Sequence, residues 1–186
     1  MISLKENYSK EAVPKMMEKF GYKNAMAVPK IQKVVVNTGF GRLISEMSSD
    51  ERKKFLNKIL EDFSLITGQK PILTKAKKSI SGFKTRKGMP IGAKVTLRKK
   101  MMFNFLERLI NIALPRSRDF RGIEPAFFDK SGNLTIGIKE HIVFPEILPE
   151  KAKNIFGLEA TVITNAKSRE EGIELLKLMG FPIKAT

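Results

Sequence analysis

The chain has no cysteine and a single histidine among its 186 residues. Without cysteine, disulfides and thiolate chemistry are excluded. With His141 alone, histidine metal clusters and histidine-centred proton relays lack their parts, and a packing or surface role is expected for it. No run of eighteen apolar residues occurs and Met1 to Asn7 has no hydrophobic signal core, so a soluble, cytoplasmic chain without a membrane partner is expected. No Walker-type glycine–lysine signature is present. Gly39-Phe40-Gly41 follows a strand pattern, but the third glycine of a dinucleotide fingerprint is missing, which leaves a tight turn. Asp119 and Glu124 lie among Arg116, Arg118 and Arg121, where ion pairing is expected. These absences predict no catalytic residue, no metal, no cofactor and no enzyme.

One further absence is local: from Phe63 to Leu106 there is no Asp or Glu. What fills that window is positive charge. Lys70, Lys75, Lys77, Lys78, Lys84, Arg86, Lys87, Lys94, Arg98, Lys99 and Lys100 fall within it, in a chain of net charge +16 and pI about 10.1. A compact protein carrying such a surplus repels itself, so a polyanionic partner is the economical reading. The chain is not a basic tail, because 42% hydrophobic residues with 13 Phe supply a core. One RNA-binding domain over residues 1–186 is expected, with an N-terminal helical segment at 1–28 and a protruding basic loop at 77–88.

Periodicity supplies the elements. Leu4 to Phe20 reads as a helix that Pro14 must kink or divide, ended by Gly21. Lys30 to Thr38 is a β-branched strand. Ser48 with Glu51 forms a capping box ahead of an apolar face of Phe55, Leu56, Ile59, Leu60, Phe63 and Ile66, with Gly68 as the stop. Pro71 to Ala76 and Ile91 to Arg98 read as strands, and Met101 to Leu114 as a helix closed by Pro115. Asp129 to Asn133 is turn chemistry, Leu134 to Ile138 and Ala160 to Ala166 are strands, and Ser168 with Glu171 caps a last helix using Ile173, Leu176 and Met179. This order predicts an α+β fold: a mainly antiparallel sheet with helices on one face, a ferredoxin-like two-layer sandwich with an N-terminal helix.

Such a sheet keeps one face free. In the third strand Lys94, Thr96 and Arg98 share a face opposite Ala93, Val95 and Leu97; in the first, Lys33, Val35 and Asn37 oppose Val34 and Val36. Lys33, Lys70, Lys94 and Arg98 are therefore candidate phosphate contacts. The loop adds Lys77, Lys78, Ser79, Ser81, Lys84, Arg86 and Lys87 around Phe83, which either stacks on a base or ribose or folds back as an anchor. Two other classes compete. A membrane-surface protein needs a helix with basic flanks and an apolar outer face, whereas here the cations lie in strands and a loop. A nuclease needs clustered carboxylates, and the basic tract has none.

The residues also carry a resemblance. Thr67-Gly68-Gln69-Lys70-Pro71, Lys75-Ala76-Lys77-Lys78-Ser79-Ile80, Gly92-Ala93-Lys94-Val95-Thr96-Leu97-Arg98, Leu114-Pro115-Arg116-Ser117-Arg118-Asp119-Phe120-Arg121-Gly122 and Phe144-Pro145-Glu146-Ile147 follow in register. Together with the closing Gly180-Phe181-Pro182 they resemble the bacterial large-subunit ribosomal protein five family almost end to end. The resemblance implies an α+β sandwich that binds 5S rRNA through its sheet, with Asn37, Gln69 and Thr96 as polar contacts. It implies a place in the central protuberance beside 23S rRNA. It also implies that the 77–88 loop reaches peptidyl-site tRNA and lies near a small-subunit head protein across an intersubunit bridge. Phe40, Arg42 and Leu148-Pro149 depart from the usual family residues.

Overall fold

The computed structural model describes residues 3–184 apart from 46, 119, 149 and 151–153. Its strands are β1 (Ile31–Gly39), β2 (Ile72–Lys75), β3 (Pro90–Leu97), β4 (Leu134–Ile138) and β5 (Leu158–Thr164). They form one sheet in the order β2-β3-β1-β5-β4, and every neighbouring pair is antiparallel. Helix α1 covers residues 4–20, α2 Gly41–Ile44, α3 Ser49–Thr67, α4 residues 99–116 and α5 Arg169–Leu178. With β4 set aside, β5-β1-β3-β2 is the strand order of a ferredoxin-like βαββαβ unit. β4 is an addition at its edge.

The layers follow from local chemistry. Ser48 and Glu51 close the capping box of α3, with the Ser48 N–H donating to Glu51 Oε2 at 3.0 Å and the Glu51 N–H to Ser48 Oγ at 3.4 Å. From there Phe55, Ile59, Phe63 and Ile66 recur on one face and are buried. Gly68, at φ 69°, stops the helix with its N–H on Ser64 O at 2.8 Å. The buried residues of β1 and β3 (Val34, Val36, Ala93, Val95 and Leu97) join the same core. Phe144 of the Phe-Pro-Glu motif stacks on Phe105 of α4 at 5.9 Å. In the same motif Glu146 pairs with Arg108, whose other nitrogen donates to Ile66 O at 3.0 Å. The motif thus ties α4 to the end of α3.

One expectation about proline is corrected, the close of a helix at Pro115; ahead of Pro14 the helix is divided by a change of turn type. Helix α1 runs through Pro14 to Phe20, and α4 runs through Pro115 to Arg116. Each proline follows a five-residue π turn, Tyr8–Ala12 and Leu109–Ala113. The turns are closed by Val13 N–H on Tyr8 O and by Leu114 N–H on Leu109 O. A proline ring inside a regular helix strikes the carbonyl four residues back, and the wider turn relieves that conflict. The helical turn Gly41–Ile44 was not expected at all; it follows Phe40, which is buried edge-on against Phe55 at 6.3 Å. The last strand starts and ends two residues before its expected bounds, and just beyond it Asn165 Oδ1 accepts the Lys30 N–H at 2.6 Å.

The Asp129 turn locks the C-terminal layer. Asp129 Oδ1 accepts the N–H groups of Ser131 and Asn133 at 2.9 and 2.8 Å, and Thr164 Oγ1 donates to Gly132 O at 3.1 Å. Helix α5 then packs Gly172 directly on the backbone of Gly132, where an added methyl has no room. We expect Gly172→Ala to lower stability in urea by about 1–3 kcal/mol through overpacking. Gly137→Ala, where nothing lies within 4 Å of the new methyl, is expected to leave stability nearly unchanged.

Candidate nucleic-acid interface

The face of the sheet turned away from the core is laid out in rows of cross-strand neighbours. One row reads Ile72, Lys94, Asn37, Glu159, Gly137; the next reads Thr96, Val35, Thr161, Thr135. Lys33 stands opposite Ile163 in a third. Lys94, Thr96, Thr135 and Glu159 are exposed, Lys33 and Asn37 half-buried, and Ile72 is 66% exposed. No aromatic side chain stands in these rows. Because β2 and β3 are antiparallel, Gln69 and Lys70 enter β2 at the end where β3 leaves toward Arg98, and all three are exposed. Lys33, Asn37, Lys94 and Thr96 therefore share one face, and Gln69, Lys70 and Arg98 lie near the end of it that Lys33 marks. Asn37 Oδ1 is buried and accepts no hydrogen bond.

Six members of these rows escaped sequence reading: Ile72, Thr135, Gly137, Glu159, Thr161 and Ile163. The alternation within each strand was visible. Which strands adjoin was not, and only adjacency puts Glu159 beside Asn37.

The loop lies at the opposite end of the β2–β3 hairpin. Ala76 and Gly88 extend the pairing past Lys75, with Ala76 N–H on Met89 O at 2.8 Å and Gly88 N–H on Ala76 O at 2.9 Å. Ser79 Oγ accepts the Lys87 N–H at 2.9 Å. Ile80 and Thr85 then exchange N–H···O bonds of 3.1 and 3.2 Å around a 3-10 turn at Ser81–Phe83, with Lys84 at φ 51°. The segment read from the sequence as a protruding basic loop thus has a small ladder of its own. Phe83 is 71% exposed and Ile80 48%, so neither is sunk into the core. Lys77, Lys78, Ser79, Ser81, Lys84, Arg86 and Lys87 are all exposed. Between the loop and α2 lies a cavity of about 850 Å³, lined by Arg42, Lys77, Lys78, Ile80, Phe83 and Ile91.

The residues weighed for catalysis sit elsewhere. Phe40 N–H donates to Ile91 O at 2.9 Å, which makes Gly39-Phe40-Gly41 a structural corner. Glu124 pairs with Lys184 at 2.9 Å, not with the neighbouring arginines as expected, because Ile123 pairs with Ile183 and draws the C-terminal segment alongside. Asp119 lies outside the described residues. Among the described residues no group of three potential metal ligands occurs, and no helix is long and apolar enough to cross a membrane.

Family comparison decides the lineage. Residues 24–86 match the family model described as Ribosomal protein L5, and residues 90–183 match the model for the C-terminus of the same ribosomal family. The large ribosomal subunit protein uL5 of Halothermothrix orenii is 54% identical over 182 residues, covering 98% of each chain. Those of Geotalea uraniireducens and Syntrophomonas wolfei are 52% and 54% identical over 184 residues, covering 99% of this chain. The chain belongs to the ribosomal protein L5 family. That family is structural and non-enzymatic, so the chain is not an enzyme. The two family models meet between Arg86 and Pro90, yet β3 from the second pairs with β2 and β1 from the first.

His141 is fully buried, stacked on Phe156 at 3.9 Å with Nδ1 accepting the Phe156 N–H at 3.4 Å. Its Nε2 stands 3.7 Å from Asp62 Oδ2, too far for a hydrogen bond, while Lys58 holds Oδ1 at 3.0 Å. Burial holds the imidazole below its ordinary range, against the opposing pull of Asp62. In the unfolded chain His141 takes up a proton near pH ~6.5. Below that point the unfolded state binds the extra proton, so this contribution to stability is complete above pH ~6.5 and is lost as pH falls toward the folded value. We expect the thermal midpoint to fall between roughly pH 7 and 5.5, and less steeply in His141→Gln. Parallel curves for the two proteins would exclude His141 as the cause.

Proposed function

We propose that this chain, a structural protein of the large ribosomal subunit in translation, binds 5S rRNA with the open face of its sheet. On this reading it joins that RNA to 23S rRNA and neighbouring ribosomal proteins, and its 77–88 loop contacts peptidyl-site tRNA and faces a small-subunit head protein. One observation carries the first part: the open face gathers Asn37, Lys94 and Thr96 in adjacent rows while Gln69, Lys70, Lys33 and Arg98 border one end. The composition of that face favours a particular kind of RNA. Single-strand binders stack bases on aromatic side chains, and these rows have none. Hydroxyl, amide and β-branched side chains on an open sheet face suit the outside of a folded, base-paired RNA. There the flanking lysines and arginines meet phosphates and the polar groups give direction.

The loop reading rests on separation. Its cations and exposed Phe83 lie at the far end of the hairpin from Gln69 and Arg98, and its own hydrogen bonds hold its shape. It therefore offers a second surface to a partner that comes and goes.

Both parts are open to titration against 5S rRNA. With about five phosphates neutralised, log affinity should fall against log salt with a slope near −4, at roughly 0.7–0.9 per contact. Thr96→Ala and Gln69→Ala should each weaken binding by about 1 kcal/mol at unchanged slope, whereas Lys94→Ala should reduce the slope by about one. Replacing residues 79–86 with a short glycine linker should spare 5S rRNA binding and weaken peptidyl-site tRNA retention on assembled ribosomes. Parent-like binding by all three point variants would remove the sheet face, and loss of 5S rRNA binding on loop shortening would remove the division of labour.

A further inference from the structure

A carboxylate stands in the middle of the open face. Glu159 is exposed, sits directly across from Asn37, and has no ion-pair or hydrogen-bond partner among the described residues. Its other cross-strand neighbour is Gly137, and nothing lies within 4 Å of where a side chain there would begin. The edge strand thus leaves a notch beside Glu159, of the kind glycine provides where another molecule approaches a strand closely. On its inner side Asn37 Oδ1 is buried without a donor. That oxygen is closed off from the outer surface, so Glu159 is the one open carboxylate of its row, and Lys94 lies on the far side of Asn37.

Phosphate oxygens cannot satisfy this carboxylate, because they too only accept, and it repels them. What RNA can offer is donors. On the shallow groove of an A-form helix these are ribose 2′-hydroxyls and the guanine amino group. We propose that Glu159 is an acceptor site for these donors on a helical RNA, and so helps select which surface of the RNA meets the sheet. The inference rests on the reading of this face as the 5S rRNA site. Within it, phosphate contacts fall to the flanks, at Lys94 and at the Lys70–Arg98 end. The Thr135 and Thr161 hydroxyls, 3.3 Å apart in the next row, are able to donate or accept as the same groove requires.

The alternative is that Glu159 is a solvated charge that only opposes RNA, and the two accounts differ in sign. If Glu159 only repels, its removal raises affinity. If it accepts hydrogen bonds, removal lowers affinity although the protein becomes more positive. The test is filter binding of the full chain to 5S rRNA at physiological salt, with thermal midpoints measured in parallel to confirm that these exposed-site variants fold. Glu159→Ala should bind roughly tenfold more weakly. Glu159→Gln, which keeps one acceptor, should fall between parent and Ala. Glu159→Lys should be the weakest of all despite its added charge, and the salt slope of the Ala variant should not become shallower. Folded Ala or Lys variants that bind as tightly as the parent, or more tightly, overturn the acceptor site while leaving 5S rRNA binding intact. A parent chain that does not prefer 5S rRNA to a tRNA of similar size overturns the face itself and this inference with it.

Discussion

In β1 and β3 each outward side chain is fixed by the burial of its neighbours along the chain. Val34, Val36, Ala93, Val95 and Leu97 are all 5% exposed or less, and Asn37, Lys94 and Thr96 point the other way only because those five point in. A shift of register by one residue would exchange the two sets. Each large aliphatic side chain contributes about 1.5–3 kcal/mol by burial, so exposing four of them and an alanine would cost on the order of 10 kcal/mol. That is comparable with the whole stability of a typical domain, about 5–15 kcal/mol. The outward residues offer nothing of that size in return. The geometry of the polar face is therefore set from behind, by the core, and is available before any RNA arrives.

The charge is arranged on the same plan. Ion pairs at Lys10, Lys15, Lys19, Lys58, Arg108, Arg118 and Lys184 all lie outside residues 70–100. The exposed pairs among them are worth about 0–1 kcal/mol each and do not decide the fold. Their consequence is distributional: they sit on the helical layer and the C-terminal segment, while the tract from Lys70 to Lys100 has no acidic residue of its own. Glu159 is the exception on the sheet face, where it stands exposed between Asn37 and the notch at Gly137.

Much of this was legible in the sequence, for physical reasons that also mark where legibility stopped. The capping box at Ser48 and Glu51 and the period-two alternation of Lys33 to Asn37 and Ala93 to Arg98 are local, and local patterns survive folding. Strand order is not local. Nothing in β5 announces that Glu159 stands beside Asn37, or that Thr161 stands between Val35 and Thr135. Pro115 misled because a proline is read as a break, whereas a π turn ahead of it lets the helix pass. The buried place of His141 was within the range expected for it, but its packing on Phe156 depends on a chain excursion between β4 and β5 that carries no periodic signal.

The central claim is that the open sheet face, and neither the helical layer nor the loop, meets 5S rRNA. Hydroxyl-radical footprinting of the protein's side chains with and without 5S rRNA tests it directly. Ile72 on the open face, Leu65 on the helical layer and Phe83 in the loop are 66%, 57% and 71% exposed, so all three react in the free chain. The account requires that bound 5S rRNA protect Ile72 while Leu65 and Phe83 stay reactive. Protection of Leu65 or Phe83 with Ile72 still oxidised would contradict it.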